Sequence, residues 1–161
     1  MPIKSYSEKY RDDFIKMFVT YSVDDLKMQE EDPRLTAEFI EEKIAPFFIR
    51  QMERGNLTID LLMEDGVPVG FSVWQIDRPE SDWCKRPGWG FIREFYIERA
   101  RRRSGFGRML AEHTVRRLRA AGAEDLYLTT ANAGFWKACG FRETGERCNG
   151  LMVFEKGREE P

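Results

Sequence analysis

The sequence predicts an α/β fold in one domain, with a mixed central β-sheet and helices on both of its faces. The chain has 161 residues, which suits one domain with a sizeable core. Its hydrophobic content of 42% and charged content of 34% are typical of a folded globular protein. Strand-like and helix-like segments follow one another in the order β-α-α-β-β-β-α-β-α-β-β. We therefore expect residues 1–161 to form a single domain.

The first elements are a short strand and two helices. Residues 3–6 predict the strand, and Ser7 is in position to cap the helix that follows. Residues 24–34 are polar and predict a loop. Thr36 is in position to cap the second helix, which Pro46 is expected to end or kink. The first helix has aromatic and apolar residues at helical spacing, namely Tyr10, Phe14, Met17, Phe18 and Tyr21.

Three strands follow, and the first two are expected to form a hairpin. The dipeptide Asp65-Gly66 separates the segments 57–64 and Val67–Ile76, and such a dipeptide is a strong signal for a two-residue turn. Residues 78–87 include two prolines and predict a loop. The segment Gly90–Ile97 is rich in aromatic and β-branched residues and predicts the next strand.

The last third of the chain predicts a long helix, a short helix and three more strands. Gly122 and Gly140 stand where the two helices should end, because glycine readily adopts the left-handed conformation of a helix C-terminus. His113 lies on the apolar face of the long helix, so we expect a packed core histidine. The predicted elements are helix 105–121, strand 126–130, helix 133–139, strand 141–146 and strand 151–155.

The most informative motif is the glycine turn between the strand Gly90–Ile97 and the long helix. It reads Arg102-Arg103-Ser104-Gly105-Phe106-Gly107, and glycines one residue apart let a backbone turn tightly and let a ligand approach its N–H groups. A helix that begins there directs its unpaired N–H groups and the positive end of its dipole at the turn. The turn therefore predicts a phosphate-binding site. Arg103 and Arg108 would add positive charge.

Two better-known phosphate motifs do not fit this turn. A dinucleotide fingerprint needs a third glycine where the chain has Leu110, and the glycine-rich loop of nucleotide triphosphatases is absent. Eight arginines and one acid lie between Arg99 and Arg119, yet the net charge of the whole chain is −2. This weak overall charge argues against a nucleic-acid partner.

The sequence also limits the setting in which the protein works. No apolar run approaches the ~18 residues of a membrane span, so we expect no membrane partner. Cys84, Cys139 and Cys148 lack the paired spacing of disulfide or zinc sites. We therefore expect a cytoplasmic protein without a bound metal.

The pattern Arg-x-x-Gly-x-Gly between a strand and a helix resembles the coenzyme A signature of the GNAT superfamily of N-acetyltransferases. Downstream, the segment from Phe135 to Phe141 resembles that superfamily's F-Y-x-x-x-G-F motif, and Phe95-Tyr96-Ile97 resembles the end of its fourth strand. These motifs lie within residues 90–141. The resemblance implies a sheet that is splayed between strands four and five. It also implies transfer of an acetyl group from acetyl-CoA to a primary amine by direct attack on the thioester.

The resemblance implies which residues contact the cofactor. Backbone groups of Phe95 and Ile97 would pair with the pantetheine arm, and the N–H groups of residues 102–107 would hold the pyrophosphate. Asn132 and Trp136 lie in the segment that reaches the cofactor from the other side. The expected cofactor-binding residues are Phe95, Ile97, Arg102, Arg103, Ser104, Gly105, Phe106, Gly107, Arg108, Asn132 and Trp136.

Glu94 is the candidate general base. It precedes the cofactor-contacting segment of the strand, and similar polyamine acetyltransferases have an acidic residue near this place. A water molecule can relay the proton between such a base and the amine. A structural ion pair of Glu94 with Arg93 stays open as an alternative, and Glu98 is a weaker candidate base.

The general acid is where the sequence departs from the superfamily. Trp136 occupies the position of the tyrosine that usually protonates the leaving thiolate, and an indole N–H cannot supply a proton near neutral pH. Tyr96, Tyr127 and Cys139 stay open as replacements. The thiolate leaving without an acid is a further alternative, because a thiol of pKa ~8.5 is a fair leaving group.

The acceptor is expected to be a small cationic amine. Between Tyr21 and Lys43 there are eight acids and three basic residues, in a region that borders the acceptor site in similar proteins. A merely solvated helix face is the alternative for this segment. For the whole protein, the alternative is a non-catalytic regulatory protein that binds coenzyme A. Dimers are common among similar proteins, and a homodimer stays open.

Overall fold

Seven strands form one sheet in the computed structural model, which describes residues 2–158. The strands are β1 (Ile3–Ser5), β2 (Thr58–Glu64), β3 (Val67–Ile76), β4 (Gly90–Ile97), β5 (Leu126–Thr130), β6 (Arg142–Cys148) and β7 (Leu151–Lys156). Their order across the sheet is β1-β2-β3-β4-β5-β7-β6. Only β4 and β5 run parallel among these neighbours, so the sheet is mixed, as the sequence predicted.

Helices cover both faces of the sheet. They are α1 (Arg11–Thr20), α2 (Met28–Glu31), α3 (Ala37–Phe39), α4 (Ala45–Glu53), α5 (Phe106–Ala120) and α6 (Ala133–Ala138). On one face, Phe14 and Phe18 of α1 and Ile49 of α4 pack with the β3 residue Phe71. On the other face, Leu118 of α5 packs in a second buried cluster together with α6. The predicted α/β class with two-sided helical cover is confirmed.

The fourth and fifth strands separate soon after they begin. β4 and β5 pair only where Gly90 lies opposite Leu126 and Phe91 lies opposite Tyr127. A Cβ atom at Gly90 would come within 2.6 Å of the Leu126 side chain, so glycine permits the close approach at this point. Beyond it, the edge of β4 that faces β5 is open, and the expected splay of the sheet is confirmed.

The helical N-terminal region differs from the prediction in three places. Ser7 precedes a 3₁₀ turn, Glu8–Tyr10, and makes no capping hydrogen bond with its side chain, so its predicted role was wrong. The predicted loop 24–34 contains α2, whose first turn carries acids that favour the positive end of the helix dipole. Pro46, predicted to end or kink the second helix, does not end it: a π-turn over Ile40–Ile44 joins α3 to α4 and leaves proline in the first turn of α4.

Other local predictions are confirmed. The Thr36 side chain accepts a hydrogen bond from the Phe39 N–H at 3.1 Å and caps α3. Asp65 and Gly66 have φ angles of +50° and +79°, as a type I′ hairpin turn requires. Gly122 has a φ of +104° directly after the end of α5. Local chemistry thus determines these turns and caps.

Two further findings concern the chain as a whole. Within residues 2–158, no helix is both long and apolar enough to cross a membrane. The same described residues contain no group of three or more His, Cys, Asp or Glu side chains that could hold a metal ion.

Candidate active site

A β-bulge in β4 determines where Glu94 points. The register between β3 and β4 shifts at Arg93, which has no partner residue on β3. Such a bulge places two successive side chains on the same side of the sheet. The Arg93 guanidinium lies 4.9 Å from the centre of the Phe48 ring, and Glu94 contacts Tyr21. Both side chains therefore lie on the face that α1 and α4 cover.

The carboxyl group of Glu94 is partly buried and accepts a hydrogen bond from a tyrosine. The Tyr21 hydroxyl donates to Glu94 Oε2 at 2.5 Å. Burial raises the pKa of Glu94 to about 7, although the Tyr21 hydrogen bond and the positive charge of Arg93 oppose the rise. A carboxylate with such a pKa is suited to accept a proton near neutral pH.

The neighbouring arginine is paired elsewhere. Arg93 Nη2 donates to Asp82 Oδ2 at 2.7 Å, and Arg93 Nη1 donates to Gln75 Oε1 at 3.0 Å. Glu94 instead has a tyrosine as its partner. Sequence reasoning placed Tyr21 only among the core residues of the first helix, since its spacing there is the same as that of Phe14 or Phe18.

The open edge of β4 presents two peptide groups. The Glu98 N–H donates to Val69 O of β3 at 2.8 Å. Because successive residues of a strand direct their peptide groups to opposite edges, those of Phe95 and Ile97 face the gap that β5 leaves. They lie where an extended ligand could pair with the strand.

The turn after β4 forms a cradle of unpaired N–H groups. Gly105 has a φ of +88° and precedes α5, and an added Cβ atom there would meet nothing within 4 Å. The first backbone bond that closes on this turn runs from the Met109 N–H to Gly105 O at 3.0 Å. In the described part of the chain, the N–H groups of residues 103–108 make no backbone hydrogen bond. These donors and the dipole of α5 suit a phosphate group.

Arg102 departs from its expected place in this cradle. Its N–H donates to Arg99 O at 3.2 Å, its Nε donates to Ile97 O at 2.8 Å, and its Nη2 donates to Asp25 Oδ2 at 2.6 Å. The group of N–H donors therefore begins at Arg103, because the donors of Arg102 bond within the protein.

Gly107 and Arg108 also have contacts within the protein. A Cβ atom at Gly107 would lie 3.0 Å from the Phe135 ring, so this glycine permits close packing of α5 against α6. Arg108 Nε pairs with Glu112 Oε1 at 3.2 Å on the exposed side of α5. The second glycine of the motif thus has a packing role, while Gly105 leaves open space.

A comparison with protein families identifies this fold. The model of the acetyltransferase (GNAT) family matches residues 9–141 of the chain. The chain belongs to the GNAT family. No curated protein sequence matches the chain.

Solved structures of N-acetyltransferases share the fold at low sequence identity. The PaiA N-acetyltransferase from Thermoplasma acidophilum, in complex with coenzyme A, superposes with a TM-score of 0.72 at 14% identity, over 98% of this chain and 99% of that chain. The ribosomal-protein-alanine N-acetyltransferase from Brucella melitensis gives 0.71 at 16% identity, over 98% and 99%. The aminoglycoside 6′-N-acetyltransferase from Acinetobacter haemolyticus gives 0.64 at 17% identity, over 92% and 95%.

Trp136, which the sequence motif predicts at the position of the usual GNAT tyrosine, is part of the core. It is 5% exposed and packs edge-on against Phe95 at 5.0 Å and Phe141 at 5.4 Å between ring centres. Its contact with Phe95 places it beside β4. Asn132, in the same GNAT segment, caps α6, because its Oδ1 accepts from the Phe135 N–H at 3.3 Å.

Of the three other candidate acids, the geometry excludes Tyr127. Its side chain is completely buried, and its hydroxyl donates to Asp77, which also accepts from the N–H groups of Lys85 and Arg86. Burial and the Asp77 hydrogen bond raise the pKa of Tyr127 far above its ordinary value. Tyr127 therefore anchors the loop between β3 and β4. Burial also raises the pKa of Tyr96 and Cys139.

The single histidine lies on the face of the sheet opposite Glu94. His113 Nε2 is 3.3 Å from Oδ2 of the completely buried Asp60. The same oxygen accepts a hydrogen bond from Trp74 Nε1 at 3.0 Å. Trp74 belongs to the buried cluster beneath α5, on the face opposite Glu94. His113 therefore fits the structural role expected for it, and Trp74 is part of the core.

A cleft of about 730 Å³ opens between α1, the start of β3 and the end of β4. Tyr96 lines it, two residues along β4 from Glu94. Its charged lining residues are the acids Asp13, Asp24, Asp25 and Glu98 and the bases Lys16, Arg99 and Arg102. Part of the acidic segment of this GNAT chain therefore borders a cleft.

Proposed function

We propose that this chain is an N-acetyltransferase that transfers an acetyl group from acetyl-CoA to a primary amine, with a small cationic amine as acceptor. One observation carries the proposal. The open edge of β4 at Phe95 and Ile97 lies in the chain between Glu94 and the N–H cradle at residues 103–108. A proton acceptor, a strand edge for pairing and a phosphate site would thus follow one another along this part of the chain.

The residues present fit the cofactor. The N–H groups of residues 103–108 would hold the pyrophosphate, and the open space beside Gly105 admits it. The peptide groups of Phe95 and the N–H of Ile97 would pair with the pantetheine arm, while Ile97 O accepts from Arg102 Nε. When bound, acetyl-CoA supplies the acetyl group as a thioester.

Glu94 would prepare the amine for attack. Protonated amines are not nucleophilic, and a base with a pKa of about 7 is deprotonated in a substantial fraction at physiological pH. Glu94 would accept the ammonium proton directly or through one water molecule. The Phe95 N–H, at the open edge of β4, would stabilise negative charge that develops on the carbonyl oxygen.

Departure of the thiol would need no strong acid. A thiol of pKa ~8.5 leaves readily, so the absence of the usual tyrosine is compatible with turnover. Trp136 can donate a hydrogen bond but cannot supply a proton.

The preference for a small cationic acceptor rests on charge. Acids of the segment after α1 line the cleft beside Tyr96 and would attract a cation. Among the GNAT structures compared above, one is named for aminoglycosides and another for the alanine of a ribosomal protein. A protein acceptor is therefore the second outcome that an experiment should distinguish.

Acetyl-CoA titration tests the cofactor site first. In Gly105→Glu, a carboxylate would occupy the phosphate cradle, and we expect binding to be lost. The matched control is Gly55→Glu, because Gly55 has a φ of +80° and open space around it, as Gly105 does, but lies after α4. Loss of binding in Gly105→Glu alone supports the site. Equal binding by both variants would contradict it.

Thiol release then tests the reaction across a panel of diamines, polyamines, aminoglycosides and lysine peptides. Turnover with a small amine is the expected result. Turnover with lysine peptides alone would show that the acceptor is a protein and not a small amine. Binding of acetyl-CoA without any thiol release would favour a non-catalytic regulatory protein. The tryptophan at position 136, in place of the usual tyrosine, is the observation that supports this second function.

A further inference from the structure

A π-turn after α1 carries two contacts to the reaction centre. Residues Tyr21–Asp25 form this turn, and the Leu26 N–H donates to Tyr21 O at 2.9 Å. Lys27 follows with a φ of +51°, a conformation that lysine rarely adopts. π-turns of this kind are frequent at functional sites. The first residue of the turn contacts Glu94, and its last residue contacts Arg102.

The first contact fixes a tyrosine against the candidate base. Tyr21 is 7% exposed, and its ring packs edge-on against Phe71 at 5.4 Å and Phe18 at 5.7 Å between ring centres. Its hydroxyl is then directed at Glu94 Oε2. Tyr21 therefore contacts the Glu94 carboxyl group from the π-turn.

The second contact ties the turn to the cofactor loop. Asp25 Oδ2 accepts from Arg102 Nη2 at 2.6 Å, and Arg102 Nε donates to Ile97 O at 2.8 Å. Arg102 is also the first residue of the glycine motif. The far end of the π-turn is thus held to the end of β4 through one arginine.

We propose that Tyr21 is a positioning residue for Glu94 and that the ion pair between Asp25 and Arg102 holds Tyr21 in that place. The inference rests on the proposed function insofar as Glu94 is the general base. The π-turn over residues 21–25 would then set the orientation of the Glu94 carboxylate relative to the cofactor loop.

The charged and titratable groups around Glu94 determine the direction of the test. Tyr21 faces it from the π-turn, Arg93 and Tyr96 lie on its own strand, and Asp82 pairs with Arg93 from the loop between β3 and β4. A hydrogen bond to a carboxylate favours its charged form, so loss of the Tyr21 hydroxyl should raise the pKa of Glu94. A displaced Tyr21 should have the same effect.

The experiment is a titration of the Glu94 carboxyl carbon by ¹³C NMR in the intact protein, with Glu94→Gln to assign the resonance. We expect Tyr21→Phe to raise the measured pKa by about one unit, because the phenyl ring keeps the packing and only the hydroxyl is lost. An unchanged pKa in Tyr21→Phe would overturn the positioning role of Tyr21.

Asp25→Asn tests the ion pair, and the sign of its effect is informative. Removal of a nearby negative charge by itself lowers the pKa of a carboxylic acid. If the ion pair holds Tyr21, its removal should loosen the turn and weaken the hydrogen bond from Tyr21 to Glu94. The pKa of Glu94 should then rise by about half a unit, which is less than in Tyr21→Phe, where the hydrogen bond is lost completely. Asp24→Asn is the matched control, since it makes the same charge change in the same cleft without touching Arg102. No rise in Asp25→Asn, or an equal change in Asp24→Asn, would overturn the role of the ion pair.

These measurements are independent of turnover. If no amine releases thiol, the proposed function fails, while the titrations still decide whether Tyr21 positions Glu94. Circular dichroism of each variant checks that it folds. Should Tyr21→Phe fail to fold, the opposite signs expected for Asp25→Asn and Asp24→Asn decide the proposal.

Discussion

Replacement of Glu94 by glutamine should stabilise the protein at pH 8 more than at pH 5. Burial raises the pKa of this carboxyl group to about 7 in the folded chain, whereas a glutamic acid in an unfolded chain has a pKa of about 4.3. Between these two values the folded state binds more protons than the unfolded state. The contribution of Glu94 to stability therefore falls as the pH rises from about 4.3 through 7.

The size of the effect follows from the two pKa values. One pKa unit corresponds to about 1.4 kcal/mol, so the free energy of unfolding should fall by nearly 3 kcal/mol from pH 5 to pH 8 because of Glu94 alone. The side chain is partly exposed, and screening by water reduces this figure to about 2 kcal/mol. Glutamine retains an oxygen that accepts from Tyr21, so the contribution of that hydrogen bond should change little with pH.

Urea unfolding of the wild type and Glu94→Gln at pH 5 and pH 8 measures the difference. The control is Glu98→Gln, which removes a carboxylate four residues further along, where the side chain is 44% exposed. A stability difference between wild type and Glu94→Gln that is the same at both pH values would refute the reasoning. The same pH dependence in Glu98→Gln would show a general effect of net charge.

Three further predictions concern other roles assigned above. The kcat/KM for thiol release should fall about tenfold for each pH unit below about 7. Glu94→Gln should lower kcat/KM by ~10²–10⁴ and leave the affinity for acetyl-CoA unchanged. A kcat/KM that is constant between pH 5.5 and 8 would count against Glu94 as the base. Tyr127→Phe should lower the free energy of unfolding, measured with urea, by about 1–3 kcal/mol, because Asp77 loses a buried hydrogen-bond donor. A variant with the stability of the wild type but without turnover would instead indicate that the Tyr127 hydroxyl is catalytic. His113→Gln should change kcat/KM by less than about threefold while it lowers the melting temperature, so a large loss of kcat/KM would contradict the structural role beside Asp60.

Much of the fold was predictable because it depends on local chemistry. The turn at Asp65-Gly66 and the cap at Thr36 each involve residues within a few positions of one another. The π-turns were not predictable, since their spacing in sequence is that of an ordinary helix. Pro46 shows the difference, because a π-turn lies directly before α4 where the sequence predicted that proline would end or kink a helix.

The candidate site divides in a similar way. The glycine turn and its free N–H groups were predictable, because a strand, two glycines and a helix in series determine that geometry. The orientation of the Arg102 side chain was not predictable, because its partner Asp25 lies 77 residues away in sequence. The packing of Gly107 against Phe135 was not predictable either, because it depends on how α6 lies against α5.

The sequence by itself determined the order of the elements, the cradle after β4 and the membership in the GNAT family, since each is a matter of short-range pattern. Only the tertiary structure decided that Glu94 faces Tyr21. That contact joins residues 73 positions apart and requires the bulge at Arg93, which brings Glu94 to the face that α1 covers. Burial of the carboxyl group there raises its pKa to about 7, and burial results from long-range packing.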